Sequence, residues 1–216
     1  MISEEILRGF HAVASASVAD AVDQIAERRG YMDHTIQPRI NDKKIVGPAV
    51  TILEGPTRDK LPPQHALDAI DDSPKGSVLV IGIADGADVA VWGGLMTAGA
   101  VANELGGAVL DGGVRDVTEI RRDYDFPVYA RSVSPGTTVG RYKTLDANVP
   151  VQCGGVMVHP GDLIVADLDG VVVVPEQHIE AVLERATEIE RKEAEQARFI
   201  RETRSLKQGL ARYNRI

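Results

Sequence analysis

Apolar residues recur along this chain in two rhythms, one helical and one strand-like, and the balance between them shifts past the middle. Over residues 4–29 they fall at helical spacing, at Ile6, Phe10 and Val13 and again at Val18, Val22 and Ile25, with Ser15 and Ser17 between. This predicts two short helices, with Ser17 capping the second. Residues 45–52 are β-branched and read as a strand, which Pro48 pushes towards a sheet edge or bulge. A polar, proline-bearing loop at 59–63 precedes a helix at 65–70. Lys75-Gly76 then turns into an apolar strand at 77–81, followed by an acid-bearing loop at 82–88. An alanine-rich helix at 95–105 ends on Gly106-Gly107, a second buried strand occupies 108–110, and 117–123 forms a short helix.

Beyond Pro127 the runs become short and β-like, at 128–131, 149–152, 156–158 and 170–174, separated by turn signals such as Pro160-Gly161-Asp162 and Leu168-Asp169-Gly170. Residues 175–206 read as one long helix opened by Pro175-Glu176. Its apolar stripe comprises Ile179, Val182, Ala186, Ile189, Ala197 and Ile200, with Glu193 in the middle. A carboxylate on an apolar face needs a partner. An interhelical salt bridge or a solvated helix end accounts for it, and so does contact with a polar site on a neighbouring subunit. Alternation of buried strands with helices indicates a largely parallel α/β core on which the later hairpins pack, without room for a second core.

Composition narrows the function. The 216 residues carry 24 basic and 32 acidic side chains, a net charge of −8, which argues against general binding to nucleic acid or an anionic membrane. Cys153 is the sole cysteine, so no internal disulfide forms and a reducing cytoplasm is the natural setting. The opening Met1-Ile2-Ser3-Glu4-Glu5 lacks the pattern of a signal peptide, and no apolar run is long enough to span a bilayer. The five histidines are scattered without ligand spacing, so a zinc site is not expected.

Candidate chemistry concentrates in Gly93-Gly94-Leu95-Met96 and in Asp111-Gly112-Gly113-Val114-Arg115-Asp116. Arginine grips a carboxylate with two parallel hydrogen bonds, and aspartate holds a hard divalent cation. An isolated Arg115–Asp116 pair reads as a surface ion pair, or as a helix start capped by Asp116. Its place after a buried strand of a parallel sheet is where ligands gather, which favours a site. Asp111 is placed to orient Arg115 or support it from behind. Asp85 and Asp88 could reach the mouth of such a pocket, but a solvated loop is the better explanation of them. Neither a phosphate-binding loop nor a dinucleotide fingerprint is present. Cys153 reads as a core residue.

Trp92-Gly93-Gly94-Leu95, Gly99-Ala100, Gly106-Gly107 and Leu110-Asp111-Gly112-Gly113-Val114-Arg115-Asp116 together resemble the signature of the RraA-like family, which includes 4-hydroxy-4-methyl-2-oxoglutarate aldolases. Supporting matches are Ser17-Val18-Ala19-Asp20-Ala21, Gly47-Pro48-Ala49-Val50-Thr51, and Pro160-Gly161-Asp162 on through Ala166-Asp167-Leu168-Asp169-Gly170-Val171 to Pro175. The resemblance implies an α-β-β-α sandwich like the swivelling, phosphohistidine-type domains. Residues 1–175 would form one domain, and a C-terminal helix at 176–216 would pack on a neighbouring subunit of a homotrimer or homohexamer. It implies a lyase dependent on Mg²⁺ or Mn²⁺ that cleaves a carbon–carbon bond of a 2-oxo diacid through a metal-stabilised pyruvate enolate, by retro-aldol cleavage or oxaloacetate decarboxylation. Asp116 would ligate the metal, with Arg115, Asp116 and Asp111 as the catalytic set. Gly93, Gly94, Leu95 and Met96 would present backbone amides to the substrate beside Arg115. Glu193, with Glu190 in reserve, would reach the metal through water from the adjacent subunit. Gly94 departs from the family pattern, in which an acidic residue or Asn often stands at that position. The alternative implied by the same resemblance is a non-catalytic regulator that binds an RNA-degrading enzyme, for which a metal ligand such as Asp116 has no use. No motif suits a methyl donor, so the methyltransferase label sometimes attached to the family gains no support.

Overall fold

A computed structural model describes residues 2–84 and 88–214. Two helices, α1 (Glu4–Ala12) and α2 (Ser15–Ala26), lead into a two-residue strand β1 (Gln37–Pro38) and a long strand β2 (Ile45–Pro56). Helix α3 (Gln64–Asp72) precedes β3 (Val78–Ile83) and the short β4 (Ala90–Trp92). Then follow α4 (Gly94–Ala102), β5 (Gly107–Val114), α5 (Val117–Asp123) and β6 (Val128–Val133). The remaining strands are β7 (Tyr142–Ala147), β8 (Val151–Cys153), β9 (Val156–Val158), β10 (Leu163–Asp167) and β11 (Gly170–Val174). The chain closes on α6 (Ile179–Thr203) and α7 (Leu206–Tyr213).

One sheet runs in the order β1-β6-β5-β3-β2-β10-β11, with β4 added to β5 and β7 to β2. Strands β2, β3, β5 and β6 are parallel, whereas β10 and β11 are antiparallel additions. The sheet rolls until its ends nearly meet. The N–H of Met32 donates to the Val171 carbonyl at 2.8 Å, and that of Val173 to the Gly30 carbonyl at 2.8 Å.

Alternating side chains explain the layering. Val78, Val80, Val109, Ile164, Ala166, Val171 and Val173 point into the roll, where the β8–β9 hairpin adds Val151, Cys153, Val156 and Val158. Leu79, Ile81, Ala108 and Leu110 face outward into a core shared with α3 to α5. Leu163, Val165, Val172 and Val174 face a third core beneath α1, α2 and α6. The result is a mixed α/β fold with helices outside two facing parts of one rolled sheet, and with the long C-terminal helix that the sequence predicts.

Several boundaries differ from expectation for identifiable reasons. Pro48 lies inside a central strand, one residue before the parallel pairing with β3 begins at Ala49, so its missing N–H interrupts nothing on that side. Helix α2 starts at Ser15 rather than beyond Ser17, because Asp167 accepts from both Ser15 N (2.9 Å) and Ser15 Oγ (2.5 Å). Strand β5 does not stop at Leu110 but continues through Gly112 and Gly113 with a register shift, and so delivers Arg115 and Asp116 directly from its end. The C-terminal helix breaks at Arg204, whose backbone is left-handed (φ 52°), and α7 folds back on α6 with Tyr213 edge-on to Phe199.

Candidate functional site

The carboxyl end of β5 and the start of α4 meet at the pair singled out above. The Arg115 N–H donates to the Trp92 carbonyl at 3.0 Å, joining the ends of β4 and β5. Asp116 follows in left-handed backbone (φ 59°, ψ 29°), a conformation that costs most residues energy but that Asp tolerates. It is the N-cap of α5 by position, yet its side chain makes no capping bond there. Its Oδ2 instead accepts from the N–H of Gly94, at the start of α4, at 3.0 Å. The helix-capping role allowed by the sequence is therefore not the one observed. Arg115 Nε lies 3.5 Å from the same oxygen, a half-exposed pair that contributes little stability.

Glycines make this approach possible. A Cβ on Gly93 would stand 2.8 Å from Asp116 Oδ2, closer than real side chains come, and 3.1 Å from Arg115 Nε. One on Gly94 would stand 2.6 Å from Glu119 Oε1. Beneath the turn, Trp92 Nε1 donates to Thr97 Oγ1 (2.8 Å), whose hydroxyl donates to the Gly93 carbonyl (3.0 Å). Trp92 also stacks on Phe126 with ring centroids 6.1 Å apart. This buried chain fixes the turn from below. The first-turn N–H groups of α4 lack intrahelical acceptors and give its start a positive character that suits an anion.

Arg115 separates two hollows. One, of about 210 Å³, is lined by Trp92, Gly93, Gly94, Leu95, Met96 and Thr138 among others. The other, open and about 550 Å³, is lined by Asp116, Glu119, Arg122 and Ser134. Among the described residues, no group of three or more His, Cys, Asp and Glu gathers to hold a metal. A site with one or two carboxylates suits a cation such as Mg²⁺, which keeps several waters and takes its remaining oxygens from substrate.

The other sequence candidates lie elsewhere. Asp111 turns away from Arg115: its Oδ1 accepts from Arg131 Nη2 and Nε and from Gly154 N (3.0 Å), tying β5 to β6 and to the β8–β9 turn. It does not orient Arg115, because the inner face of the sheet already holds its charge partner. Arg131→Leu would leave this largely buried carboxylate unpaired, and a loss of about 2 kcal/mol is expected in urea unfolding. Asp88 accepts from Ser132 Oγ, and its carbonyl accepts from Ser134 Oγ, beside the open hollow. Asp85 lies outside the described residues.

Glu193 is exposed on α6, and α6 packs on α2 rather than over Asp116. Beyond the end of α2, which has 12 residues against 25 in α6, the helix meets α7, where Gly209 lies close to Ile200 and Gln196. Glu190 is committed: its Oε1 accepts from Ala14 N at 2.6 Å and Ser17 Oγ at 3.3 Å. Cys153 is a core residue as expected, its thiol pushed up by burial and by the charge of Asp111. Sequence reasoning missed Thr97 and underused Glu119. The signals available were a threonine one helical turn after Gly93 and a glutamate three residues after Asp116, on the same helical face.

The family profile described as RraA-like: Aldolase/RraA matches residues 15–173. The chain belongs to the RraA-like family. A Halalkalibacterium halodurans relative, named as a candidate 4-hydroxy-4-methyl-2-oxoglutarate aldolase, is 32% identical over 185 residues, covering 84% of this chain and 82% of its own length. Protein DlpA of Legionella pneumophila is 35% identical over 176 residues, 81% of this chain, but the match spans only 28% of DlpA. An uncharacterized protein from Pseudomonas syringae pv. tomato has a similar solved structure, with TM-score 0.86 and 30% identity over 98% of this chain and 95% of that one. Streptomyces coelicolor RraAS2, described as an unusual member of the RNase ES inhibitor RraA protein family, gives TM-score 0.82 at 27% identity, over 90% of this chain and 97% of its own. The names carried by these relatives include both aldolase and ribonuclease inhibitor.

Proposed function

We propose that this chain is a metal-dependent lyase that cleaves a carbon–carbon bond in a small 2-oxo diacid and releases pyruvate. The observation carrying this reading is Asp116: strained backbone turns its carboxylate off its own helix and onto the start of α4, beside Arg115. The aldolase name of the Halalkalibacterium halodurans relative supports the reaction class.

Asp116 would hold Mg²⁺ or Mn²⁺, with Glu193 of an adjacent subunit contributing through water in a homotrimer or homohexamer. When bound, the cation supplies Lewis-acid stabilisation for the negative charge that develops as the carbon–carbon bond breaks. Arg115 grips a substrate carboxylate with two parallel hydrogen bonds and fixes which bond faces the cation. The N–H groups of Leu95 and Met96 complete the anion-binding end of the cleft. Thr97 and Trp92 hold the turn in register, so the donors need no rearrangement as charge develops. Asp111 acts at a distance, by fixing the strand that carries the pair. Retro-aldol cleavage and oxaloacetate decarboxylation demand the same stabilisation, so one site serves both.

In a pyruvate-coupled assay with Mg²⁺ or Mn²⁺, the chain is expected to turn over 4-hydroxy-4-methyl-2-oxoglutarate, oxaloacetate or both. Absence of pyruvate with both substrates would favour the ribonuclease-regulator reading, to which the likeness to RraAS2 points.

A further inference from the structure

The start of α4 is approached by two carboxylates, and only one is accounted for above. Glu119 lies one turn along α5 from Asp116, on the wall of the same open hollow. It is half-buried, and among the described residues it makes neither a hydrogen bond nor a salt bridge. Its Oε1 would be 2.6 Å, its Cδ 3.0 Å and its Oε2 3.4 Å from a Cβ placed on Gly94. The whole carboxylate thus fills the space that a side chain at position 94 would enter. Gly94 has ordinary helical surroundings and a buried backbone, so conformational freedom does not explain its lack of a side chain. Close approach by Glu119 is the contact that a side chain there would displace.

We propose that Glu119 is the second carboxylate of this centre, a positioning residue that orders the water shell of the cation held by Asp116. Gly94 is the vacancy that admits it. The inference rests on the proposed metal site and adds to it a residue on a different element from the glycine turn. It accounts for a half-buried acid that makes no hydrogen bond or salt bridge among the described residues, with only the charge of Arg122 acting on it, beside an exposed aspartate.

The test is Mn²⁺ binding to the full chain, measured by isothermal titration calorimetry and by the electron paramagnetic resonance signal of free Mn²⁺. Glu119→Gln and Glu119→Ala are expected to weaken binding by about 10-fold or more, the usual effect of removing an outer-shell partner. Adding Gly94→Asp to Glu119→Ala returns a carboxylate to the same space from the opposite side and is expected to recover most of that loss. Wild-type affinity in both Glu119 variants would overturn the proposal, and so would failure of the double variant to recover while its circular dichroism and Tm stay normal. If Asp116→Asn loses Mn²⁺ while the Glu119 variants keep it, the metal site stands and this inference alone falls. If the wild-type chain binds no Mn²⁺, the metal site itself falls.

Discussion

Asp116→Asn is expected to leave the protein folded and to lower kcat/KM for pyruvate release by at least about 10²–10³-fold, with Mn²⁺ affinity falling in parallel. Asparagine is the informative replacement because it isolates the charge. Like Asp it tolerates the left-handed backbone seen at φ 59°, and its side-chain oxygen can still accept from the N–H of Gly94. Alanine would remove all three properties at once and mix a backbone penalty of about 1 kcal/mol into the result. A change of no more than about 1 kcal/mol corresponds to a Tm shift of about 2–4 °C in a chain of this size, which scanning calorimetry resolves. Activity lost without a Tm change locates the defect in the charge of Asp116. Retained activity in the asparagine variant would remove Asp116 from the centre of the reaction.

The second large effect concerns stability. Glu54 sits on β2 opposite Ile83 and Thr144, only 1% exposed, and neither carboxylate oxygen has a hydrogen-bond partner among the described residues. Burial raises its pKa from 4.5 to about 7, since an ionised carboxylate there loses its hydration without compensation. The folded state therefore holds a proton on Glu54 that the unfolded chain has released between those two values. Stability from this group is fully present below pH 4.5 and falls as pH rises through 7. At about 1.4 kcal/mol per pKa unit, the loss by pH 8 is about 3 kcal/mol. His11 acts in the opposite sense in part of the same window, its pKa lowered by burial and then by Lys44, but it is present in both proteins to be compared. Urea unfolding at pH 5 and pH 8 should therefore show a drop in the wild type that is largely absent in Glu54→Gln. Equal pH slopes in the two proteins would show that the buried carboxyl finds partners or water when it ionises.

The parts of this molecule visible in its sequence are those where one local signal decides the outcome. Strand β3 is apolar at every position and buried at every position. Helix α6 announces itself by a stripe at Ile179, Val182, Ala186 and Ile189. The Arg115–Asp116 pair was visible because it follows a strand that could only be central. Signals set by tertiary pairing were not. Strand β7 alternates only over its first three residues, so its pairing to β2 is imposed from outside. Asp111 looked like a member of the site because sequence distance from Arg115 is short. The strand's facing instead sends it to Arg131, and no local pattern reveals which face of a rolled sheet a residue near a register shift will take. The place of Glu119 is hidden from the sequence for a related reason: it lies in the space over Gly94, where two helices meet that only the fold brings together.

The central claim is that pyruvate release depends on a divalent cation held at Asp116. It is tested most directly by assaying oxaloacetate and 4-hydroxy-4-methyl-2-oxoglutarate turnover after exhaustive chelation and again after Mn²⁺ is restored. Activity that disappears with chelator and returns with Mn²⁺ in the wild type, but not in Asp116→Asn, is the predicted result. Turnover that survives chelation, or that returns equally in the asparagine variant, would contradict it.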